Sequence, residues 1–188
     1  ERCRIEVGSD VKCLATFVDP ATGEPRVACV GGYRNPVQIY DPIAGGAALL
    51  VIDVGVWVKA LAVFKDPATG ELRLACGCED EKVRVVDPVV GGAVLLVIEV
   101  GSELKGLVVF EDPATGALRL ACASGEKVLV FDLVAGGEAL LVLDIGSLVQ
   151  ALAVFTEPAT GAPRLACGCA DGKVRVFDAV SGGDALLV

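Results

Sequence analysis

One five-residue turn sequence occurs four times in this chain and divides it into four similar units. "DPATG" occupies residues 19–23, 66–70 and 112–116 and returns as "EPATG" at 157–161, so successive copies lie 47, 46 and 45 residues apart. Each copy follows a short apolar stretch that ends in Phe and precedes a segment that begins with Arg, and a Gly pair follows later in every unit. Because a period of about 20 to 50 residues is typical of repeat folds, the sequence predicts a tandem array.

Each unit contains four apolar stretches separated by Pro, Gly, Asp and Thr. Pro presets φ for a turn and Gly accepts the positive φ that follows, which explains why both recur in the turn sequence. The stretches are rich in Val, and a helix of about ten residues does not fit between such breakers, so we predict strands. Four strands in 45 to 47 residues match a propeller blade. The predicted fold is all-β, a β-propeller of four-stranded antiparallel blades, with four blades in this chain.

We expect a single repeat array over residues 1–188, with blades at approximately 9–55, 56–101, 102–146 and 147–188. Residues 1–8 are expected to complete an outer strand, because "ALLV" at 185–188 matches the first half of such a strand and residues 5–7 match the second half. We therefore expect either that two chains associate head to tail into an eight-bladed ring or that this chain is half of a larger array. The lack of Met and the start at Glu1 indicate a processed fragment or an engineered chain.

Composition narrows the classes of partner. The net charge of −9 without any His disfavours nucleic-acid binding, which requires a basic surface. The longest stretch free of charge and strong polarity, near 88–98, has 11 residues, whereas a membrane-spanning helix needs about 20, and no signal-peptide pattern is present. We therefore predict neither a nucleic-acid nor a membrane partner. Eight Cys without the loop-rich flanks of a disulfide scaffold indicate a reduced, intracellular and cytoplasmic protein.

The segment "FTEPATGAPRLACGCADGKVRVFD" at 155–178 resembles a blade of the WD40-repeat family, and the resemblance extends over the whole chain. The family pattern has an apolar strand ending in Phe, a turn, "LASGSxDGTVRLWD" and an outer strand that closes with Gly-His. This chain departs from the Trp-Asp pair at Tyr40-Asp41, Val86-Asp87, Phe131-Asp132 and Phe177-Asp178. It departs from the Gly-His pair at Gly8-Ser9, Gly55-Val56, Gly101-Ser102 and Gly146-Ser147. The family's Asp-His-Ser-Trp network therefore cannot form, and we expect apolar packing to hold the blades.

The paired cysteines are candidates for a metal or redox site. Cys76 and Cys78, like Cys167 and Cys169, stand two residues apart on predicted strands, where their side chains share a face but diverge from disulfide geometry. Zinc needs four ligands, and the chain has no His to complete a set. We predict small, buried, inert thiols, with a metal or redox role as the less favoured alternative, and we expect no metal and no cofactor.

The acidic residues offer a second candidate chemistry. Glu79, Asp80 and Glu81 cluster in a turn, but a solvated acidic loop is the favoured interpretation, because the chain lacks His, a phosphate-binding loop and a Gly-x-Ser-x-Gly motif. We therefore predict that the protein is not an enzyme. Four further carboxylates recur on the outer strands, where we expect them to protect the sheet edge or to pair with Arg84 and Arg175; they are Glu6, Asp53, Glu99 and Asp144.

The repeats differ most in two loop types, and binding residues concentrate in such loops. The loop into the first strand carries Trp57 in repeat two and Glu103 in repeat three, and the second turn of repeat one carries Tyr33 and Arg34. Because Trp, Tyr and Arg are enriched in binding hot spots, we predict that these four residues contact a partner. The entrance of the central channel is predicted to be ringed by Lys12, Lys59, Lys105 and Gln150. The alternative is that Trp57 caps the core and the lysines are solvated.

These observations predict a non-catalytic WD40-like β-propeller scaffold that mediates protein–protein interaction. Two other classes remain open. One is an engineered or structural self-assembling repeat protein with no ligand. The other is a hydrolase or a small-ligand binder that uses the central channel.

Overall fold

The computed structural model describes residues 4–32 and 36–188, and these residues form sixteen β-strands and no helix. Each repeat forms one four-stranded sheet in which strands consecutive in the chain are neighbours. The predicted all-β fold with four four-stranded antiparallel sheets is thus confirmed, and we refer to the sheets as blades 1 to 4. No helix in the described part of the chain is long and apolar enough to cross a bilayer.

The chain divides into two compact units, Glu1–Val97 and Ile98–Val188. In the first unit, blade 1 consists of β1 (Val11–Val18), β2 (Pro25–Gly31), β3 (Val37–Tyr40) and β4 (Leu50–Ile52). Blade 2 consists of β5 (Val58–Lys65), β6 (Leu72–Cys78), β7 (Lys82–Val86) and β8 (Leu96–Glu99), so the unit boundary falls inside its outer strand.

The second unit repeats this arrangement. Blade 3 consists of β9 (Leu104–Glu111), β10 (Leu118–Ser124), β11 (Lys127–Asp132) and β12 (Gly136–Asp144). Blade 4 consists of β13 (Val149–Thr156), β14 (Pro163–Cys169), β15 (Val174–Asp178) and β16 (Gly182–Leu187).

The repeated turn sequence links the first and second strands of every blade. In blade 3, the Asp112 carbonyl accepts from Gly116 N at 2.8 Å, and its carboxylate accepts from Ala114 N at 3.0 Å. Asp112 N donates to the Ala117 carbonyl at 2.9 Å and closes the loop. Gly116 has φ +71°, a conformation that is costly for residues with a Cβ. The same positive φ recurs at Gly23, Gly70 and Gly161, so this turn fixes each first hairpin in the same way.

Alternate residues of a strand point to opposite faces of its sheet, so each blade has two apolar faces. We call them the Phe face, which carries the Phe near the end of the first strand, and the Leu face, which carries the Leu in its middle. In the first unit, the Phe face of blade 1, with Phe17 and Val30, forms one core with the Leu face of blade 2, with Leu61 and Leu74.

The second unit has an equivalent core. The Phe face of blade 3, with Phe110 and Val130, packs with the Leu face of blade 4, with Leu165 and Cys167. Both cores consist of interdigitating aliphatic side chains from two sheets, which removes large apolar areas from water.

The N-terminal segment differs from the sequence expectation. Residues 1–8 are expected to complete an outer strand, but residues 4–10 form no strand. They lie against blade 1 instead, where Tyr40 Oη donates to the Glu6 carbonyl at 3.5 Å. Completion of an outer strand stays a prediction.

Candidate protein-binding site

The loops that lead into the first strands place two alternate side chains on the same side of the backbone. In blade 3, Lys105 Nζ lies 2.8 Å from Glu103 Oε1. In blade 1, Lys12 forms the equivalent ion pair with Asp10, and this hydrogen bond lowers the pKa of the Asp10 carboxyl. The lysine of each pair thus contacts the side chain two residues before it.

Blades 2 and 4 have other chemistry at these positions. Lys59 Nζ of blade 2 lies 5.1 Å from the centroid of the Trp57 ring, within the range of a cation–π interaction. The indole is half-buried, and the Trp57 carbonyl accepts from Glu79 N at 2.8 Å. Blade 4 has Leu148 and Gln150, both exposed. The four loops therefore share one geometry and present different groups.

A cavity of about 370 Å³ lies within the second unit, where the loops of blades 3 and 4 meet. This volume is typical of small-ligand and side-chain pockets. Its floor is fixed by backbone and side-chain hydrogen bonds, because Val149 N donates to the Gly125 carbonyl at 2.9 Å and Ser102 pairs with Ser124. The cavity is lined by Ser102, Glu103, Lys105, Gly125, Leu148, Val149 and Gln150.

The structure brings three of the predicted site residues together, since Glu103, Lys105 and Gln150 line this one cavity. Trp57 and Lys59 form their own contact in blade 2, and Lys12 pairs within blade 1. Tyr33 and Arg34 lie outside the described residues. A channel entrance ringed by Lys12, Lys59, Lys105 and Gln150 stays a prediction.

Sequence reasoning missed part of the cavity wall. Ser102 and Gly125 are small residues that leave room for the cavity, and Leu148 and Val149 supply its apolar side. The available signal was the Gly101-Ser102 pair, where the WD40 resemblance has Gly-His. A small hydroxyl in place of a bulky imidazole leaves space at that corner of the blade.

A second missed feature is an arginine between two carboxylates in every blade. In blade 3, Arg119 lies 2.6 Å from Asp132 and 3.6 Å from Asp112. Hydrogen bonds from backbone N–H groups, with Arg119 as a further cause, lower the pKa of both carboxyls. The same triad is formed by Arg26 with Asp19 and Asp41, by Arg73 with Asp66 and Asp87, and by Arg164 with Glu157 and Asp178. These ion pairs add to the apolar packing that was expected to hold the blades.

Two more arginines correct the expected pairing with the outer-strand carboxylates. Arg84 pairs with Asp80 at 2.6 Å and Arg175 with Asp171 at 2.6 Å, each across the turn before the third strand. In each pair the arginine lies only four residues after its aspartate, so the pair does not involve the outer strand. Hydrogen bonding to Arg84 lowers the pKa of the Asp80 carboxyl. Asp80 of the acidic cluster is thus held as an ion pair.

The thiols are placed as small core side chains. The cysteines of the described chain are free, and all of them except the half-buried Cys13 are buried. Burial raises the pKa of Cys167 to about 11 and that of Cys13 to about 12. Cys78 Sγ lies 3.3 Å from the Cys76 carbonyl oxygen as a weak donor. Because the thiolate is the reactive form, these groups are poor nucleophiles near neutral pH.

Comparison with solved structures identifies the fold. The chain is similar to BBS1N in its crystal structure with ARL6DN soaked with mercury, with a TM-score of 0.68 and 15% identity over 90% of this chain and 51% of that chain. For the lead-soaked crystal the TM-score is 0.68 and the identity 14%, over 95% of this chain and 55% of that chain. This chain spans about half the length of those chains.

No protein-family model matches the chain, and no match is found among curated proteins. At such low identity the likeness to BBS1N establishes the fold alone. The chain has the β-propeller fold, with each sheet forming one blade. Because one fold supports many functions, the function has to be argued from the site.

Proposed function

We propose that this protein is a non-catalytic, WD40-like scaffold that binds another protein through the loops leading into the first strands of its blades. The observation that carries the proposal is the cavity of about 370 Å³ in the second unit. Glu103 and Lys105 supply an ion pair to this cavity, Gln150 supplies an amide and Leu148 an apolar wall. Such a mixture suits a side chain and the adjoining peptide group of a protein partner.

Further observations support the proposal. The Trp57–Lys59 contact offers a half-buried indole ring, and Trp is enriched in binding hot spots. The similar BBS1N structure is a complex with ARL6DN, so a chain of the same fold is bound to another protein there. Four repeats with the order of WD40 blades support a place near that family. Free, buried thiols fit a reduced, cytoplasmic environment.

Two other functions each have an observation in their favour. The volume of the cavity also suits a small-molecule ligand. Exposed apolar side chains, among them Leu14 and Phe155, favour self-association of the chain. Self-association is part of our proposal. It would also be the entire function of a self-assembling repeat protein with no ligand.

The scaffold proposal is tested by affinity capture with matched variants. The tagged wild type is compared with Trp57→Ala, Lys105→Glu and the double variant Glu103→Lys/Lys105→Glu, which retains an ion pair but reverses its polarity. Lys65→Glu is the control. Lys65 is exposed at the end of β5, and Lys59 lies near the start of the same strand, so the two lysines are about 20 Å apart.

The expected result is a protein captured by the wild type and by Lys65→Glu, but at least tenfold less by Trp57→Ala, Lys105→Glu and the reversed pair. Circular dichroism and thermal unfolding verify that all variants are folded. Equal capture by all variants contradicts binding at these loops. No specific capture by the wild type favours the self-assembling protein without a ligand.

A further inference from the structure

Two apolar faces of this chain are exposed although their counterparts in other blades are buried. The Phe at the end of the first strand is 8%, 9% and 6% exposed in blades 1 to 3 but 46% exposed at Phe155 of blade 4. The Leu in the middle of the first strand is 9% exposed at Leu61 and 7% at Leu107 but 61% at Leu14 of blade 1. The Phe face of blade 4 and the Leu face of blade 1 are thus open to solvent.

These open faces are the two halves of a contact that the chain already forms twice. The Phe face of blade 1 packs on the Leu face of blade 2, and the Phe face of blade 3 packs on the Leu face of blade 4. The open Phe face presents Ala151, Ala153, Phe155 and Val174, and the open Leu face presents Leu14, Thr16 and Val18. Arg164 and Asp178 also lie on the Phe face of blade 4, beside Phe155, but they form an ion pair with each other, as Arg26 and Asp41 do on the buried Phe face of blade 1. The exposed centre of each face is therefore uncharged and fits an apolar sheet.

We propose that two copies of this chain associate head to tail, with the Phe face of blade 4 of one copy packed on the Leu face of blade 1 of the other. Such a contact joins different surfaces, so each pair of copies can form it twice and close. Two copies give eight blades, the upper end of the common range for propellers, and a third copy would exceed that range.

The known contacts give the register of the proposed interface. In the second unit, a Cβ placed on Gly106 of blade 3 would lie 3.4 Å from Leu152 Cβ of blade 4. Ala151 occupies the repeat position of Gly106, and Leu14 occupies that of Leu152. The interface therefore places Ala151 of one copy against Leu14 of the other.

The N-terminal segment is positioned to extend this contact. A Cβ on Gly31 would lie 2.9 Å from Val7 Cγ1, so the segment covers part of the Leu face of blade 1. Val7 corresponds in the repeat to Val54, and Val54 packs in the core that includes the Leu face of blade 2. Residues 4–9 thus already lie on blade 1 as the end of a preceding outer strand would.

The third strand of blade 4 differs from those of blades 1 and 3 in its pairing with the outer strand. On the third strands, Val37 pairs with Ile52 in blade 1 and Val128 with Leu143 in blade 3. The equivalent residue of blade 4, Val174, has no outer-strand partner among the described residues, where pairing stops at Val176 with Leu187. Ile5 has the repeat position of Ile52, so in the pair of copies it would lie opposite Val174 of the other copy.

The test uses native mass spectrometry and sedimentation of the 188-residue chain and of two charge variants, Leu14→Glu and Ala151→Lys. Both residues are exposed in the single chain, so the variants are expected to fold, which circular dichroism verifies. The control is Val142→Glu, an exposed apolar residue of the outer strand of blade 3 that belongs to neither open face.

The wild type and Val142→Glu are expected at twice the 19.2 kDa of one chain, and each charge variant alone at 19.2 kDa. An equimolar mixture of the two variants is expected to regain the double mass. In the mixed pair, one interface brings the introduced lysine of one copy against the introduced glutamate of the other, and the second interface is native. This rescue is specific to a head-to-tail pair.

Several outcomes overturn the proposal. A wild type of 19.2 kDa excludes the pair and leaves a further repeat of a longer chain as the occupant. A pair that survives Leu14→Glu shows that the Leu face of blade 1 is not part of the interface, and a mixture that stays monomeric contradicts the register. The proposed partner-binding loops are tested separately, because Trp57→Ala is expected to leave the mass of the pair unchanged.

Discussion

At the scale of single residues, the arginine triad is the most specific stabilising feature of each blade. Arg119 stands directly opposite Asp132 on the adjoining strand, and its guanidinium also reaches the buried Asp112 of the turn. One side chain thus connects the first hairpin with the end of the third strand. Exposed pairs such as Arg4 with Glu6 lack this burial and contribute little.

We expect Arg119→Met to lower the free energy of unfolding by about 1–3 kcal/mol at pH 7, because the carboxylate of Asp112 loses its cation in a buried position. The pKa values of Asp112 and Asp132 are lowered in the folded chain. Their contribution is therefore present above pH about 4 and is lost as the pH falls further. The difference in the free energy of unfolding between the wild type and Arg119→Met should therefore shrink below that pH.

Urea unfolding between pH 3 and 7 measures this effect. The control is Arg4→Met, which removes an exposed ion pair and is expected to change the free energy of unfolding by less than about 0.5 kcal/mol. A pH-independent loss in Arg119→Met would show that the methylene stem, and not the charge, is responsible.

At the scale of elements, the repeated turn determines where each first hairpin reverses. Gly116 needs a positive φ, and the Asp112 carboxylate accepts from the backbone inside the turn. The Asp carboxylate accepts from the turn backbone in blades 1 to 3, whereas the Glu157 carboxylate of blade 4 accepts from Thr160 Oγ1. The bond from the Gly N–H to the carbonyl of the first turn residue is present in all four blades.

We expect Gly116→Ala to lower the free energy of unfolding by about 1 kcal/mol, because an L-residue with a Cβ is strained at this φ. The surroundings do not add a clash, since a Cβ would meet Glu111 Oε1 at 3.8 Å. Gly116→Asn should lose less, because Asn accepts the left-handed region more readily. Urea unfolding of the three proteins checks the order, and an Asn variant no better than Ala contradicts it.

At the scale of the whole molecule, the net charge and the apolar faces have opposite effects on the association of two copies. Each chain carries −9 at pH 7, so two copies repel over long range. The exposed centres of the proposed contact surfaces are uncharged, and Arg164 and Asp178 at the edge of one of them already pair with each other, so burial of these surfaces needs no new ion pair. Salt screens the repulsion without weakening the apolar contact.

The paired state should therefore strengthen as the NaCl concentration rises from about 0.01 M to about 0.15 M, over which the Debye length falls from about 30 Å to about 8 Å. Sedimentation velocity over a dilution series measures the dissociation constant at each salt concentration. The rescued mixture of Leu14→Glu and Ala151→Lys provides the contrast, because its added ion pair should weaken with salt. A wild type that dissociates on adding salt would indicate a charged interface instead.

The repeat period and its turn residues predicted the strands and the blades correctly, because Pro, Gly and Asp act on their own backbone and need no distant partner. The arginine triads were not predicted, since Arg119 meets Asp112 and Asp132 only after three strands have paired. The cavity was foreseen in part. Glu103, Lys105 and Gln150 were selected by their repeat position, but its apolar wall depends on how the loops of two blades meet.

Phe64 and Phe155 show where the sequence alone reaches its limit. Both end the same four residues, "LAVF", on the first strand of a blade, and both strands pair with their second strands in the same register. Local sequence therefore determined the strand and the face on which each ring lies. Only the tertiary structure decided that Phe64 is buried and Phe155 exposed, because burial depends on what the folded chain places against each ring and not on the residues beside it in the sequence.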